Sequence, residues 1–204
     1  MAYFPVFIQL DGEEVLLVGG GKIALGKASR LIEYGVSLRV VALTVLPELE
    51  ALPRVTVERR PFKAEDLDGD YAFVIAATDS RSVNHEISRL CRERDILVNV
   101  VDTPEDCSFL FPALVHRGPL SIGISTSGAS PSGAVYVKQE INRLLPESME
   151  EILSWLDSLR PAVKAQIKEE ERRKQIFGRL FSESLRKNRP LTEAETKTLL
   201  KQIR

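Results

Sequence analysis

A Rossmann-like parallel α/β sheet, followed by a small α+β dimerisation unit and a helical C-terminal domain, is the fold class that three observations predict. The first half of the chain alternates short apolar runs with stretches whose apolar residues recur at helical spacing. The first of those runs breaks on Gly19-Gly20-Gly21 and reopens as a helix. After Asp102 the alternation stops, and two strand-like segments follow one another directly.

The first strand is Val15-Leu16-Leu17-Val18, and it runs into Gly19-Gly20-Gly21-Lys22-Ile23-Ala24. Gly19 suits a tight turn out of the strand, Gly21 a close approach of backbone to phosphate, and Ala24 a close approach of helix to strand. Ala28, Leu31 and Ile32 continue the helix, Tyr34-Gly35 turns the chain, and Leu38 to Ala42 forms a second strand. Strand, glycine turn, helix and strand together are built to hold a dinucleotide pyrophosphate at the helix N-terminus. Unpaired N–H groups and the positive dipole end favour an anion there. A glycine turn with a purely structural role is the alternative. After the second strand, Val40-Val41-Ala42-Leu43-Thr44 offers no acid for a ribose 2′-hydroxyl, and no Arg follows closely to meet a 2′-phosphate. NAD and NADP therefore both stay open on these residues.

Val55-Thr56-Val57, Tyr71 to Ala77 and Leu97 to Val101 read as further strands. Ser80 caps a helix whose apolar face is Val83, Ile87, Leu90 and Cys91, which places Cys91 in the core. Phe109 to Val115 and Leu120 to Ser125 then read as a hairpin with His116-Arg117-Gly118-Pro119 at its tip. Ser130 caps the next helix, with Pro131 at its first position and Val135, Ile141, Leu144 and Leu145 facing inward. Ser148 with Glu151, and Thr192 with Glu195, form capping-box patterns; Pro161 starts another helical segment; Ile176, Phe177, Leu180 and Phe181 make an apolar face. The run Lys168 to Lys174 reads as a solvated helical face. The expected division is 1–112 for the nucleotide domain, 113–146 for the hairpin and its helix, and 147–204 for the helical domain. The unpaired hairpin edge favours pairing with a second copy, hence a homodimer.

With 204 residues, 44% of them hydrophobic, 28% charged and a net charge of −1, the chain has no global bias toward nucleic acid or an anionic membrane. No apolar run is long enough to span a bilayer, and Met1-Ala2-Tyr3-Phe4-Pro5 lacks a basic start, so a cytoplasmic location is expected. Cys91 and Cys107 stand in no paired motif, and His85 and His116 have no ligand spacing, so no dedicated metal site is read.

In an open parallel sheet a ligand sits beyond the carboxyl ends of the strands. The segments there are Gly19 to Ile23, Leu43-Thr44, Ala77-Thr78-Asp79 and Asp102-Thr103. Asp79 reads as the entry to the Ser80 helix. Asp102, which ends the run Val98-Asn99-Val100-Val101, suits a general base or a metal ligand, and equally an Asx turn before Thr103-Pro104. His116 and Arg117 suit an anion contact, or a solvated turn. Ser125, Thr126, Ser127 and Ser130 can bind carboxylates beside a helix N-terminus, or serve as caps.

The set Val18-Gly19-Gly20-Gly21-Lys22-Ile23-Ala24 with Lys27-Ala28, Ala76-Ala77-Thr78-Asp79, Asn99-Val100-Val101-Asp102, Ser108-Phe109, Phe111-Pro112-Ala113 and Ser125-Thr126-Ser127-Gly128-Ala129-Ser130-Pro131 resembles the sirohaem synthase dehydrogenase family. The resemblance covers residues 1–146. It implies oxidation of precorrin-2 to sirohydrochlorin with NAD, and in many members insertion of ferrous iron to give sirohaem. It places the nucleotide contacts on Gly21, Lys22, Ile23, Leu43, Thr44 and Thr78 and the essential acid on Asp102, with Leu43-Thr44 holding the ribose. A many-carboxylate tetrapyrrole needs local cations and hydroxyls, for which His116, Arg117, Ser125, Thr126 and Lys138 are the candidates. The competing reading is a regulatory module that senses a dinucleotide without turnover.

Overall fold

Parallel pairing of strands separated by helices follows from the alternation just described. In the computed structural model, which describes residues 3–202, it gives a five-stranded sheet. The chain divides into two compact units, one from Tyr3 to Phe111 and one from Pro112 onward. In the first, β1 (Glu14–Val18), α1 (Lys22–Ile32), β2 (Ser37–Ala42), the short α2 (Pro47–Glu50), β3 (Val55–Arg59), β4 (Phe73–Ala76), α3 (Arg81–Glu93) and β5 (Val98–Val100) follow in order. The sheet order is β3-β2-β1-β4-β5, all parallel, which is Rossmann-like. Strand order reverses between β1 and β4, which opens a crevice at their carboxyl ends.

Period-two alternation decides which side chain meets which layer. Val15, Leu17, Val40 and Ile75 pack with Ala24, Ala28 and Leu31 of α1, whereas Leu16, Val18, Val74 and Val98 pack with Ile87 and Cys91 of α3. Both faces are covered, so the strands read as continuous apolar runs rather than alternating ones. Burial pushes the Cys91 thiol up to about 12, as its core position demands. Ser80 caps α3, its Oγ accepting from the Val83 amide. The observed strands are shorter than the apolar runs: Tyr71, Ala77, Leu97 and Val101 fall outside β4 and β5.

Gly19 carries the tightest constraint. Its φ is +125°, and a Cβ there would stand 2.2 Å from the Ala77 carbonyl oxygen, so only glycine lets the β1 and β4 ends approach this closely.

The second unit begins with the antiparallel pair β6 (Ala113–Arg117) and β7 (Leu120–Ile124), followed by α4 (Pro131–Leu144), α5 (Met149–Gln166), α6 (Glu170–Lys187) and α7 (Glu193–Gln202). The hairpin is tighter than the sequence suggested. Its loop is only Gly118-Pro119, with Gly118 at φ +53° in the first central position, as a type II′ turn requires. His116 and Arg117 accordingly lie in β6, with His116 opposite Ser121. Phe109 and Phe111 are not strand residues; they close an aromatic cluster on Phe73 in the first unit, with ring centroids 4.9 to 5.9 Å apart.

Ser130 caps α4 by accepting from the Gly133 amide at 2.9 Å. The apolar stripe of α4 is not all inward: Ala134 is buried and Ile141 and Leu145 half-buried, whereas Val135 is 49% and Leu144 82% exposed. A two-stranded hairpin is too narrow to cover the whole stripe. Pro161 does not start a segment but lies inside α5, where Leu156 and Val163 are buried on either side of it and hold the helix through. Ser148 makes no capping box; its Oγ donates to Asn188 Oδ1 at 2.7 Å instead. The Thr192–Glu195 box does form, the two amides each meeting the other's side chain. Ile152, Leu156, Ile176, Leu180 and Leu191 give α5 to α7 a core of their own. Among the described residues no helix is long and apolar enough to cross a membrane.

Candidate functional site

Three strand ends build the candidate site. Gly21 to Ile23 after β1, Ala77 to Asp79 after β4 and Val101 to Thr103 after β5, with Arg81 and Asn84 from α3, line a cleft of about 450 Å³. That size is within the range of small-molecule and cofactor pockets.

On one side stands the N-terminus of α1. Gly21 is its N-cap, in extended conformation and with no side-chain cap, and the first turn holds no acid. A Cβ on Gly21 would meet nothing within 4 Å, so the space in front of the first amides is open. Free N–H groups, a positive dipole end and an open approach fit the pyrophosphate of a dinucleotide. Opposite, Asn84 holds the Thr78 loop: its Oδ1 accepts from the Thr78 hydroxyl at 2.7 Å and the Thr78 amide at 3.2 Å, and its Nδ2 donates to the Thr78 carbonyl at 3.0 Å. With all three groups of Thr78 bound by one buried side chain, this wall is preorganised.

Asp102 stands on the third side at φ +59°, a left-handed conformation that Asp tolerates better than most residues. Among the described residues no group hydrogen-bonds its carboxylate. An Asx turn would draw that carboxylate to the amide two residues on, which here is Pro104 and has no N–H. The turn is closed instead by main-chain bonds from Asp106 to Thr103 and from Cys107 to Pro104. The Asp102 side chain is left to the cleft.

The site residues expected from sequence divide by position. Gly21, Lys22, Ile23, Thr78 and Asp102 come together in the cleft, and Gly19 lies beneath it as the packing turn. Leu43 and Thr44 are exposed at the end of β2, which pairs directly with β1; the Thr44 carbonyl lies against Gly20 of the glycine turn, although neither residue is among those lining the cleft. The remaining candidates lie in the second unit. His116 Nδ1 is 3.1 Å from Ser121 Oγ, and Arg117 donates to Asn142 at 3.2 Å. The Ser125 hydroxyl accepts from the Ser127 amide; the Thr126 hydroxyl exchanges bonds with both main-chain groups of Ser130; Lys138 is half-buried on α4.

Sequence reasoning gives no role to Arg81, Asn84, Asn99 or Lys27, although Lys27 and Asn99 stand in the segments that carry the resemblance. Lys27 shares the inward stripe of α1 with Ala24, Ala28 and Leu31; its Nζ donates to Asn99 Oδ1 at 2.9 Å and stands 4.1 Å above the Phe111 ring. Burial pushes its pKa down to about 8, against the pull of Cys107 and Asp102. The available signal was a polar residue at a core position: Lys27 within an alanine stripe, Asn84 beside Val83 and Ile87, Asn99 between Val98 and Val100.

Comparison with known proteins matches residues 6–113 to the family described as "Putative NAD(P)-binding" and residues 117–144 to "Sirohaem biosynthesis protein central". The chain is similar to the siroheme synthase of Thioalkalivibrio sulfidiphilus, 40% identical over 89% of this chain and 37% of that protein. It is 34% identical to that of Neisseria meningitidis serogroup C, over 100% of this chain and 43% of the relative. The chain thus spans about two fifths of the length of these curated relatives. The solved structure of SirC, a precorrin-2 dehydrogenase, superimposes with a TM-score of 0.76 at 29% identity, covering 98% of both chains.

Proposed function

This chain belongs to the NAD(P)-binding family of sirohaem-biosynthesis proteins, and from that premise we propose that it oxidises precorrin-2 to sirohydrochlorin. The observation that carries the reading is one cleft with an open, uncapped helix N-terminus on one side and an unbonded carboxylate, Asp102, on another. The amides of Gly21 to Ile23 would hold the pyrophosphate, and the clamped Thr78 loop would supply a rigid wall for the cofactor. When bound, the dinucleotide supplies the hydride acceptor of the oxidation. Asp102 takes the proton lost with that hydride, so that two hydrogens leave the tetrapyrrole and one ring carbon joins the conjugated system. The same carboxylate can take pyrrole protons displaced when ferrous iron enters as a substrate.

NAD is the cofactor we assign. Arg59 is in register with Ala42 at the end of β2 and is the cation best placed for a 2′-phosphate, but it is paired with Glu50 at 2.6 Å; Arg60 beyond it pairs with Glu58 and Asp66. A 2′-phosphate would meet carboxylates that already neutralise these guanidiniums. We assign the substrate carboxylates to His116, Arg117, Ser125, Thr126 and Lys138. The chain acts as a homodimer, in which a second copy covers Val135, Tyr136, Val137 and Leu144, large side chains that α4 leaves exposed. Sedimentation at micromolar concentration should show a dimer; a monomer would remove that assignment.

The deciding experiment is anaerobic incubation with precorrin-2 and NAD, followed by absorption spectroscopy. Sirohydrochlorin and NADH should appear in equal amounts, and NADP should be the poorer oxidant. Tight dinucleotide binding with no spectral change would favour the sensor and overturn the enzyme.

A further inference from the structure

We propose that Lys27 is a positioning residue for the acid, a cation on the dinucleotide helix that fixes the turn carrying Asp102 through Asn99. The inference rests on the reading of Asp102 as proton acceptor.

The turn has two feet. Residues 98–100 of β5 enter it and Cys107 to Phe109 leave it. Asn99 is buried and joins the feet, its Nδ2 donating to the Phe109 carbonyl at 3.0 Å and reaching Cys107 Sγ at 3.6 Å. Cys107 Sγ in turn accepts from the Val100 amide at 3.2 Å. The remaining amide atom of Asn99, Oδ1, is the one that takes the Lys27 ammonium. Lys27 therefore ties α1, whose N-terminus faces the cleft, to the base of the acid's turn in β5. The Phe111 ring face also holds the ammonium, 4.1 Å from its centroid, an attraction that exists only while Lys27 is charged. An ammonium drawn into an apolar helix face carries a desolvation cost, and among the described residues no carboxylate hydrogen-bonds it there. The charged groups facing it are Arg30 on its own helix and Asp102 on the turn, with the Cys107 thiol beside them.

Deprotonation of Lys27 ends the ring contact and the attraction to the turn together. Wild-type kcat should therefore fall as pH rises through about 8. Burial raises the Cys107 thiol above its ordinary value, so the limb belongs to Lys27. Lys27→Arg, which cannot lose its charge, should keep turnover and lose that limb. Lys27→Met should lower kcat by about 10-fold to 100-fold at all pH values, with dinucleotide affinity unchanged, because misplaced groups cost rate while the α1 N-terminus is untouched. Circular dichroism and dinucleotide titration establish that each variant is folded. If Lys27→Met does not fold, the wild-type profile decides alone: a kcat flat from about pH 7 to 9.5 overturns the proposal. Wild-type kcat in folded Lys27→Met overturns it equally. Asp102→Asn separates the two readings. Normal turnover there removes the acid itself, whereas a slow Asp102→Asn with a fast Lys27→Met removes only the role of the lysine.

Discussion

Asp102→Asn should lose turnover with precorrin-2 by about 10² to 10⁴ while its thermal stability and dinucleotide affinity stay near those of the parent. Three features of the turn lead there. The carboxylate is not hydrogen-bonded within the described residues, so the amide has no protein contact to lose. Asn shares the tolerance of Asp for the left-handed region, so φ +59° adds no strain. An amide, however, cannot accept the proton that leaves with the hydride. Asp102→Ala should be equally slow and also less stable, by about 1 kcal/mol, because Ala tolerates the left-handed φ of +59° less well than Asp or Asn does. Steady-state NADH formation with a thermal melt of each variant checks this. A turn residue without a chemical task would give the opposite pair of results, normal turnover in Asp102→Asn and a stability loss alone in Asp102→Ala. Retained oxidation with lost iron insertion would assign the carboxylate to the metal step only.

Gly21→Asp should abolish dinucleotide binding, weakening it by at least about 100-fold, in a protein that folds as well as the parent or better. Gly21 is the N-cap of α1 at φ −87°, a conformation open to any residue, and a Cβ there meets nothing. Aspartate is among the best N-cap residues and, replacing a glycine, should add a few tenths of a kcal/mol to the fold by bonding the free amides. Those are the amides assigned to the pyrophosphate, so the new carboxylate occupies the anion site with a charge of the same sign. Gly19→Ala is the contrasting variant: its Cβ would collide with the Ala77 carbonyl, and the fold should fail before binding can be measured. Calorimetry with a melting curve separates the two. Unchanged affinity in a folded Gly21→Asp protein would take the helix terminus out of the site.

The βαβ half of the fold was legible because two signals agreed there. Periodicity marked the elements, and Gly19, Gly35 and Ser80 marked their ends. The second unit shows what each signal does alone. Spacing makes the stripe of α4 inward, but spacing cannot say whether enough surface exists to cover it. Pro161 by itself signals a new segment, yet burial of Leu156 and Val163 outweighs one missing amide. Ser148 has the right spacing for a cap and is taken instead by Asn188, forty residues away. In the cleft, Gly21, Thr78 and Asp102 are candidates legible from sequence because they follow strands, and the resemblance, not the spacing, gives them roles. Lys27, Asn84 and Asn99 carry no role in the sequence, because a polar residue on a buried face declares its purpose only when its partner from another element is seen.

Burial of Lys27 also reaches the unfolding equilibrium. In the folded chain this lysine gives up its proton near 8, whereas in the unfolded chain it keeps it to about 10.5. Between those values the unfolded chain binds more protons, so the lysine makes folding more favourable as pH rises, by up to roughly 3 kcal/mol across the window. Turnover, by the argument from Asn99 and Phe111, declines over the same range. Alkaline conditions that harden the protein against denaturant should therefore be those in which it works least well, and an Arg at this position should remove both slopes together.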